Sequence, residues 1–337
     1  MLYLHHPASL QHDPRALSPD HPDAPQRLEA IEDAIAGARL DGLKRRRAAA
    51  ASEAELALVH SESHIAFVRD LCRAGGGQID ADTFVGEASY EAALHAAGGA
   101  CEMARALMTE PDRTAFCAVR PAGHHADRRQ AMGFCLFNNI AIAAQLAITE
   151  LGVEKVMIID WDVHHGNGTA EIFRRRADVV VASIHQAGLF PGTGALLDAG
   201  SGDGHGYTVN LPVPPGSGAE VWLSLIEHLV VPIGLEYRPE LVLVSAGFDA
   251  HVADPLADCR LEAADFGQMA CHVRDLAGAL ASPLGAVLEG GYQPHALGES
   301  VVATAAALLG EGEAESAAPD QIVTPRAASH LGHRWAL

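Results

Sequence analysis

Basic residues are scarce in this chain: 23 Lys and Arg stand against 43 Asp and Glu, a formal net charge of −20. Outside residues 44–47 and 174–176 no basic cluster occurs, so the footprint by which proteins grip nucleic acid is missing. An acidic surplus of this kind serves solubility first, and it favours cationic ligands over anionic ones. Paired cysteines are missing too. The six cysteines, at 72, 101, 117, 135, 259 and 271, include no CxxC pair, which points to a reduced chain without disulfides and without a thiolate-rich structural zinc site. No apolar run approaches the ~20 residues of a membrane-spanning helix, so no membrane partner is expected. Residues 1–10, MLYLHHPASL, lack the basic start and apolar stretch of a secretory leader, and the expected compartment is the cytoplasm. No internal repeat or proline-serine linker divides the chain, and nothing in it fixes an oligomeric state.

What is present is a well-patterned α/β sequence, 49% hydrophobic and 20% charged over 337 residues. Short β-type runs at 2–5, 115–120, 155–160, 179–184, 207–211, 241–246 and 285–289 alternate with amphipathic helical patterns. The helical patterns fall at 25–38, 90–108, 136–150, 219–235, 263–280 and 296–309. That alternation predicts a single-domain, three-layer αβα fold with a mostly parallel central sheet. The expected catalytic domain covers residues 1–310, and the Ala-, Glu-, Ser- and Pro-rich stretch 311–337 reads as a loosely packed tail.

The chemistry-bearing residues all follow predicted strands. After 115–120 comes PAGHHADRRQAMGF; after 155–159, DWDVHHGNG; after 179–184, HQAGLFPGTG; after 241–246, GFDAHVADP; after 285–289, GGYQPH. Ligands bind at that edge of an α/β sheet. The run 156–159 is continuously apolar, as a strand covered on both faces must be, yet it ends in two carboxylates and two imidazoles. In extended backbone, residues two apart point the same way, so Asp160, Asp162 and His164 share a face while Trp161, Val163 and His165 turn to the other. Converging carboxylates and an imidazole repel one another unless a cation sits among them, and oxygen-plus-imidazole ligation suits zinc or iron. With Asp249 as the natural third ligand beside Asp162 and His164, the set is open, as catalytic zinc sites are. Amide hydrolysis also needs a proton shuttle, which the pair His124 and His125 suits, and a donor for the developing oxyanion, which the Tyr292 hydroxyl offers.

PAGHHA, MGFCLFNN, DWDVHHGNGT, SIHQ, FPGTG, SAGFDAH and EGGY stand in the order and spacing of the histone deacetylase family, and from about residue 21 to 309 the chain resembles its class II branch and bacterial relatives. The resemblance implies the arginase/deacetylase fold and a zinc-dependent amidohydrolase that removes acetyl or short acyl groups from the ε-amine of lysine or lysine-like substrates. It implies that Asp162, His164 and Asp249 bind one Zn²⁺, with Fe²⁺ tolerated by the same ligands. It further implies that His125 is the general base and then acid, that His124 is its electrostatic partner, and that Tyr292 polarises the scissile carbonyl. Asp160 would hydrogen-bond His124 and, with Asp162, His164, Ser183 and Ile184, help hold a structural K⁺. Asn167 stands behind His125, where some relatives carry Asp; a neutral amide there should leave His125 near the unperturbed value of about 6.5, whereas the anion behind His124 raises that imidazole's pKa. Gly133, Phe134, Phe190 and Leu256 occupy positions that, in similar proteins, line the tube for the acyl-lysine side chain.

Blander readings apply elsewhere. His165 faces away from the ligands and reads as structural, while His185, His205, His251 and His295 read as rim or packing residues. FPGTG lacks the GxxxxGK[ST] pattern of a phosphate cradle, and the glycines in AAGGA at 96–100 suit close helix packing. Three alternatives stand beside the lysine deacetylase reading. An acetylpolyamine deacetylase would use the same machinery, but polyamine-selective relatives place a rim glutamate where Leu256 stands. A non-catalytic acyl-lysine binder would have lost a metal ligand, a histidine of the pair or Tyr292, and all are present. A binuclear metal hydrolase of the same architecture would need extra Asp or His ligands around PAGHHA, which the order of motifs opposes.

Overall fold

The computed structural model describes residues 1–337. Ten strands occur along the chain: β1 Leu2–His5, β2 Lys44–Arg47, β3 Gly76–Gln78, β4 Phe84–Gly86, β5 Thr114–Ala118, β6 Val156–Asp160, β7 Val179–Gln186, β8 Thr208–Val213, β9 Leu241–Ala246 and β10 Leu284–Leu288. Eight of them form one sheet in the order β2-β1-β5-β10-β9-β6-β7-β8, and β3 pairs with β4 in a separate antiparallel hairpin. Every neighbouring pair in the large sheet is parallel. The result is the expected single αβα domain.

Apolar side chains on alternate positions feed two separate cores. Val156 and Ile158 of β6 enter a cluster of 40 buried residues with Leu241 and Leu243 of β9. Met157 and Ile159, followed by Trp161 and Val163, enter a cluster of 50 on the opposite face. Helices Glu62–Arg73, Ser89–Thr109 and Asn139–Glu150 cover the first face. Gln26–Gly37, Ala263–Leu280 and Pro294–Leu308 cover the second. Burial on both faces is why the central strands read as unbroken apolar runs. Truncating one such side chain, Ile158 for instance, would cost about 2–5 kcal/mol.

The five strands whose following loops carry the sequence motifs, β5, β10, β9, β6 and β7, lie side by side in the sheet. Their carboxyl ends therefore open onto one shared edge, although the residues they deliver are spread from 121 to 295. β2 was not expected. Its sequence, KRRR, shows no apolar alternation, because it is an edge strand whose charges face acids on neighbouring segments: Lys44 pairs with Asp112 at 2.9 Å and Arg46 with Glu110 at 2.8 Å.

The predicted helix 219–235 is present but interrupted by a π turn at Ile226–Val230, which ends two residues before Pro232, whose missing N–H cannot continue the ladder. The expectation of a loosely packed tail is corrected. Within 311–337, helix Val323–Leu331 docks on the domain, with Thr324 Oγ1 2.7 Å from Ser224 Oγ. Trp335 is buried and its Nε1 donates to the Gly206 carbonyl at 3.1 Å. All six cysteines are free and buried, and no helix is long and apolar enough to cross a membrane.

Candidate metal centre and active site

β6 ends at Asp160, and the chain beyond it delivers Asp162 and His164 to the sheet edge, with Trp161 and Val163 anchored in the core behind them. Ligand atoms of Asp162, His164 and Asp249 all lie within 4.8 Å of one another, and all three residues are buried. Backbone donors hold the carboxylates in place. Asp162 accepts from His164 N–H at 2.9 Å and Gly290 N–H at 2.8 Å, and Asp249 from Val163 N–H at 2.9 Å. Gly290 is required here: a Cβ at that position would collide with the carboxylate oxygens of both Asp162 and Asp249.

This donor set fits a divalent cation. His164 Nδ1 sits 3.1 Å from Asp162 Oδ1 and 3.0 Å from Asp249 Oδ2, so one imidazole nitrogen is aimed at two carboxylates at once. Burial opposes a charge on His164, yet Asp249 and Asp162 together hold its pKa up to about 10. Burial and Asp162 push the Asp249 carboxyl upward, whereas the neighbouring imidazoles keep Asp162 well below the usual carboxylate range despite its burial. The two acids thus compete for ionisation in a dry site, a conflict that a cation between them relieves. A second group, His124, Cys135 and Glu289, is also close-packed and buried, but its atoms are already engaged. Glu289 accepts from the Gly123 and His124 amides and from Ser245 Oγ, and His124 Nδ1 faces Asp160.

Beside these three candidate ligands stand the paired histidines from the loop after β5, ring centroids 4.0 Å apart. His124 Nδ1 lies 3.0 Å from Asp160 Oδ2, and His125 Nδ1 lies 2.8 Å from Asn167 Oδ1. Asn167 Nδ2 donates to Met132 Sδ at 3.2 Å, which supports the amide orientation that presents oxygen to His125. For His124, burial is outweighed by the carboxylates of Asp162, Asp160 and Glu289, and its pKa lies well above the ordinary value. His125 departs from expectation: its pKa is well below the ordinary value rather than near it. Burial is the largest cause, and the cationic His124 and His164 add to it. The neutral amide behind the ring is outweighed by the ring's burial and by the positive charge at its flank.

Tyr292, from the loop after β10, closes the other side. Its ring meets Phe134 edge to face at 5.6 Å and lies 4.7 Å from the Arg27 guanidinium. Phe190 stands perpendicular to His125 at 5.1 Å. Gly133 is wedged between them, since a Cβ there would collide with both rings. Leu256 is half-buried, and its amide donates to Asp254. Ser183 is the register partner of Asp160, and its hydroxyl contacts His185 Nδ1 at 2.9 Å. Every residue singled out for chemistry therefore gathers at one edge. His165 faces Thr193 Oγ1 at 2.7 Å, His185 contacts the Gly194 carbonyl, and His205 and His295 are exposed.

A histone deacetylase domain matches residues 21–308. The chain belongs to the histone deacetylase family. It is 40% identical over 275 residues to "Histone deacetylase-like amidohydrolase" of Pseudomonas aeruginosa, covering 81% of this chain and 72% of that one. It is 41% identical over 269 residues to a "Probable deacetylase" of Methanothermobacter thermautotrophicus, covering 79% of each. With "Histone deacetylase 15" of Arabidopsis thaliana it shares 39% identity over 300 residues, 86% of this chain but 53% of that protein, so the chain spans about half of that relative. The crystal structure of the HDA15 HD domain superimposes with a TM-score of 0.92 at 34% identity, covering 99% of this chain and 95% of that one. The fold is thus that of the histone deacetylases, and the family is one of deacetylases and amidohydrolases.

Several supporting residues were not legible beforehand. Arg27 is buried and reaches Asp23 at 2.6 Å and the Gly291 carbonyl at 2.6 Å. Arg120, also buried, shares Asp23 at 2.7 Å. Glu289 was read only as part of EGGY, yet it ties the histidine loop to β9. The one available signal was charge inside or beside predicted buried elements.

Proposed function

We propose that this protein is a zinc-dependent deacylase acting on the ε-amide of acylated lysine in peptides or proteins. The observation that carries the proposal is the asymmetric backing of the histidine pair, a carboxylate behind His124 and an amide behind His125, beside a ready three-ligand set. Asp162, His164 and Asp249 would hold the zinc, which when bound supplies a Lewis acid that polarises a carbonyl oxygen and acidifies water.

The chain's own groups account for the proton movements. Because Asn167 Oδ1 accepts from Nδ1–H of His125, the neutral ring carries its lone pair on Nε2, the form a general base needs. The depressed pKa keeps His125 neutral at physiological pH. His125 takes a proton from the attacking water and returns it to the departing amine, so a neutral amine leaves and a carboxylic acid forms. His124 stays cationic and holds the local field positive while charge builds on the acyl oxygen. The Tyr292 hydroxyl donates to that oxygen. Phe134 and Phe190 flank the approach, and an acylated lysine, being neutral, enters between aromatic walls at far lower desolvation cost than free lysine.

The second reading, an acetylpolyamine deacetylase, keeps the same chemistry. Leu256 at the rim supports lysine-like substrates, because it offers nothing to a distant ammonium. Iron in place of zinc and a structural K⁺ near Asp160 and Ser183 belong to the same proposal. A fluorogenic panel tests it: acetyl-, trifluoroacetyl- and longer acyl-lysine peptides beside acetylated putrescine and spermidine, with and without chelator. Chelator-sensitive turnover of the lysine peptides is expected. Preference for the polyamines would overturn the substrate choice, and chelator-resistant turnover would overturn the metal.

A further inference from the structure

Asp254 lies on the loop after β9, five residues beyond Asp249, and takes no part in the proton transfers. It is only 7% exposed, yet both its carboxylate oxygens are used. Oδ2 accepts from the Tyr292 amide at 2.7 Å and Oδ1 from the Leu256 amide at 3.0 Å. One side chain therefore joins the loop of the third metal ligand and the rim residue Leu256 to the loop that carries the tyrosine.

The two sides of this joint are held by different partners. The Asp254 loop is closed at its neck, where Leu261 N–H donates to the Ala250 carbonyl at 3.0 Å and Val252 N–H to the Leu261 carbonyl at 2.8 Å. Within it, Asp254 N–H donates to the His251 carbonyl at 2.9 Å. On the other side Tyr292 follows Gly290 and Gly291, the latter at φ +118°; Arg27 Nε donates to the Gly291 carbonyl at 2.6 Å and so holds one end of the Gly291–Tyr292 peptide, and the N–H at its other end is left to Asp254. The bond to Asp254 is the one hydrogen bond Tyr292 makes. Its ring is otherwise held by Phe134 edge-on and by the flat face of Arg27, contacts that fix its plane better than its position along the site.

We propose that Asp254 is a positioning residue that sets the reach of the Tyr292 hydroxyl by clamping the tyrosine's backbone to the metal-ligand loop. This rests on the role given to Tyr292 above. The clamp also couples the rim to the reacting carbonyl, because the carboxylate that holds Tyr292 holds Leu256 as well.

A double-mutant cycle with an acetyl-lysine peptide tests the clamp, using Asp254→Ala, Tyr292→Phe and the double variant, each checked for zinc content and thermal unfolding. Asp254→Ala is expected to lower kcat about 10- to 100-fold, the scale on which ångström misplacement acts, with KM changed less than about threefold and zinc content unchanged. In the Tyr292→Phe background the same substitution should lower kcat by less than about threefold, because the hydroxyl it positions is gone. Equal losses in both backgrounds, a change confined to KM, or no loss would overturn the clamp and leave the tyrosine's own role intact. Full activity in Tyr292→Phe alone would overturn both. If Asp254→Ala does not fold, Asp254→Asn, which keeps the volume but can accept only one of the two amides, is carried through the same cycle with the same criteria.

Discussion

His124 and His125 are consecutive in the chain and nearly in contact, yet one rests on a carboxylate, Asp160 at 3.0 Å, and the other on an amide, Asn167 at 2.8 Å. That difference sets their charges apart, with His124 held well above and His125 well below the ordinary imidazole pKa. Replacing Asn167 with Asp would remove it. An anion facing Nδ1 favours the protonated ring, so the His125 pKa rises and the base form is lost at higher pH. The acid limb of the kcat/KM profile should therefore move to higher pH, and activity at pH 6 should fall relative to pH 8. A pH–rate profile of Asn167→Asp that overlays the parent's would show that His125 is not the titrating base.

The ligand set makes a prediction independent of turnover. Asp249 contributes one oxygen toward His164 and uses the other to hold the Val163 amide. Asp249→Asn keeps the shape and removes the charge, which also relieves the carboxylate competition that favours a cation. Bound zinc per chain, measured by elemental analysis after dialysis, should fall by at least the 10- to 100-fold in affinity typical of losing a supporting contact. The fold should survive, since an uncharged group replaces an anion in a buried site. Full zinc occupancy in the variant would remove Asp249 from the ligand set.

How much of this was legible depended on the range of the forces involved. β6 and the alternation through Asp160, Asp162 and His164 follow from local periodicity, and the five motif loops follow from glycine and charge placed directly after apolar runs. What stayed hidden was held by partners far along the chain. Arg27 is buried because the carbonyls of Glu289 and Gly291, 262 and 264 residues away, receive its guanidinium. No local pattern announces such a partner. β2 was concealed because its stabilisation is ionic and external rather than apolar. The segment 311–337 concealed its packing differently: Thr324, Ala327, Leu331 and Trp335 anchor it, too few apolar positions to give a clear periodicity. The depressed pKa of His125 is not legible either, because it comes first from the burial of the ring and then from the cationic His124 and His164, none of which the identity of the group behind it announces.

Acid stability should report buried neutral histidines outside the three candidate zinc ligands and the His124–His125 pair. His60 is fixed in one tautomer: Nδ1 lies 2.8 Å from the Asp127 carbonyl, and Nε2 accepts from the Asn138 amide at 2.8 Å. A second proton would set N–H against N–H. Burial, with His64 adding, accordingly pushes the His60 pKa down to about 3, and burial pushes that of His185 down to about 4. The unfolded chain binds these protons near pH 6.5 while the folded one does not, so stability is complete above that pH and falls as pH drops toward 3–4. Each imidazole contributes a slope of about 1.4 kcal/mol per pH unit in that window. Urea unfolding at pH 7, 6 and 5 should show the decline, and His60→Gln should flatten it by about one such increment. An unchanged slope in that variant would mean that His60 is not the group responsible.

The rim offers a test that separates the two substrate readings by charge alone. Leu256 is half-buried with its amide held by Asp254, and in the proposed reading its apolar side chain stands where a polyamine-selective site would need an anion. Leu256→Glu places an anion where the far ammonium of an acetylated polyamine would lie, while leaving the metal ligands and the histidine pair untouched. A partly solvated ion pair contributes modestly, and a tenfold shift needs only about 1.4 kcal/mol. The ratio of kcat/KM for N-acetylspermidine to that for an acetyl-lysine peptide should therefore rise about tenfold. Most of the change should appear in KM for the polyamine, because the new charge binds a remote part of the substrate and not the reacting amide. The gain should shrink as salt is raised, since a charge at the mouth is open to screening. If the ratio stays flat at low ionic strength, the residue at 256 does not face the substrate's distal end, and the proposed preference for lysine would have to rest on Phe134 and Phe190 instead.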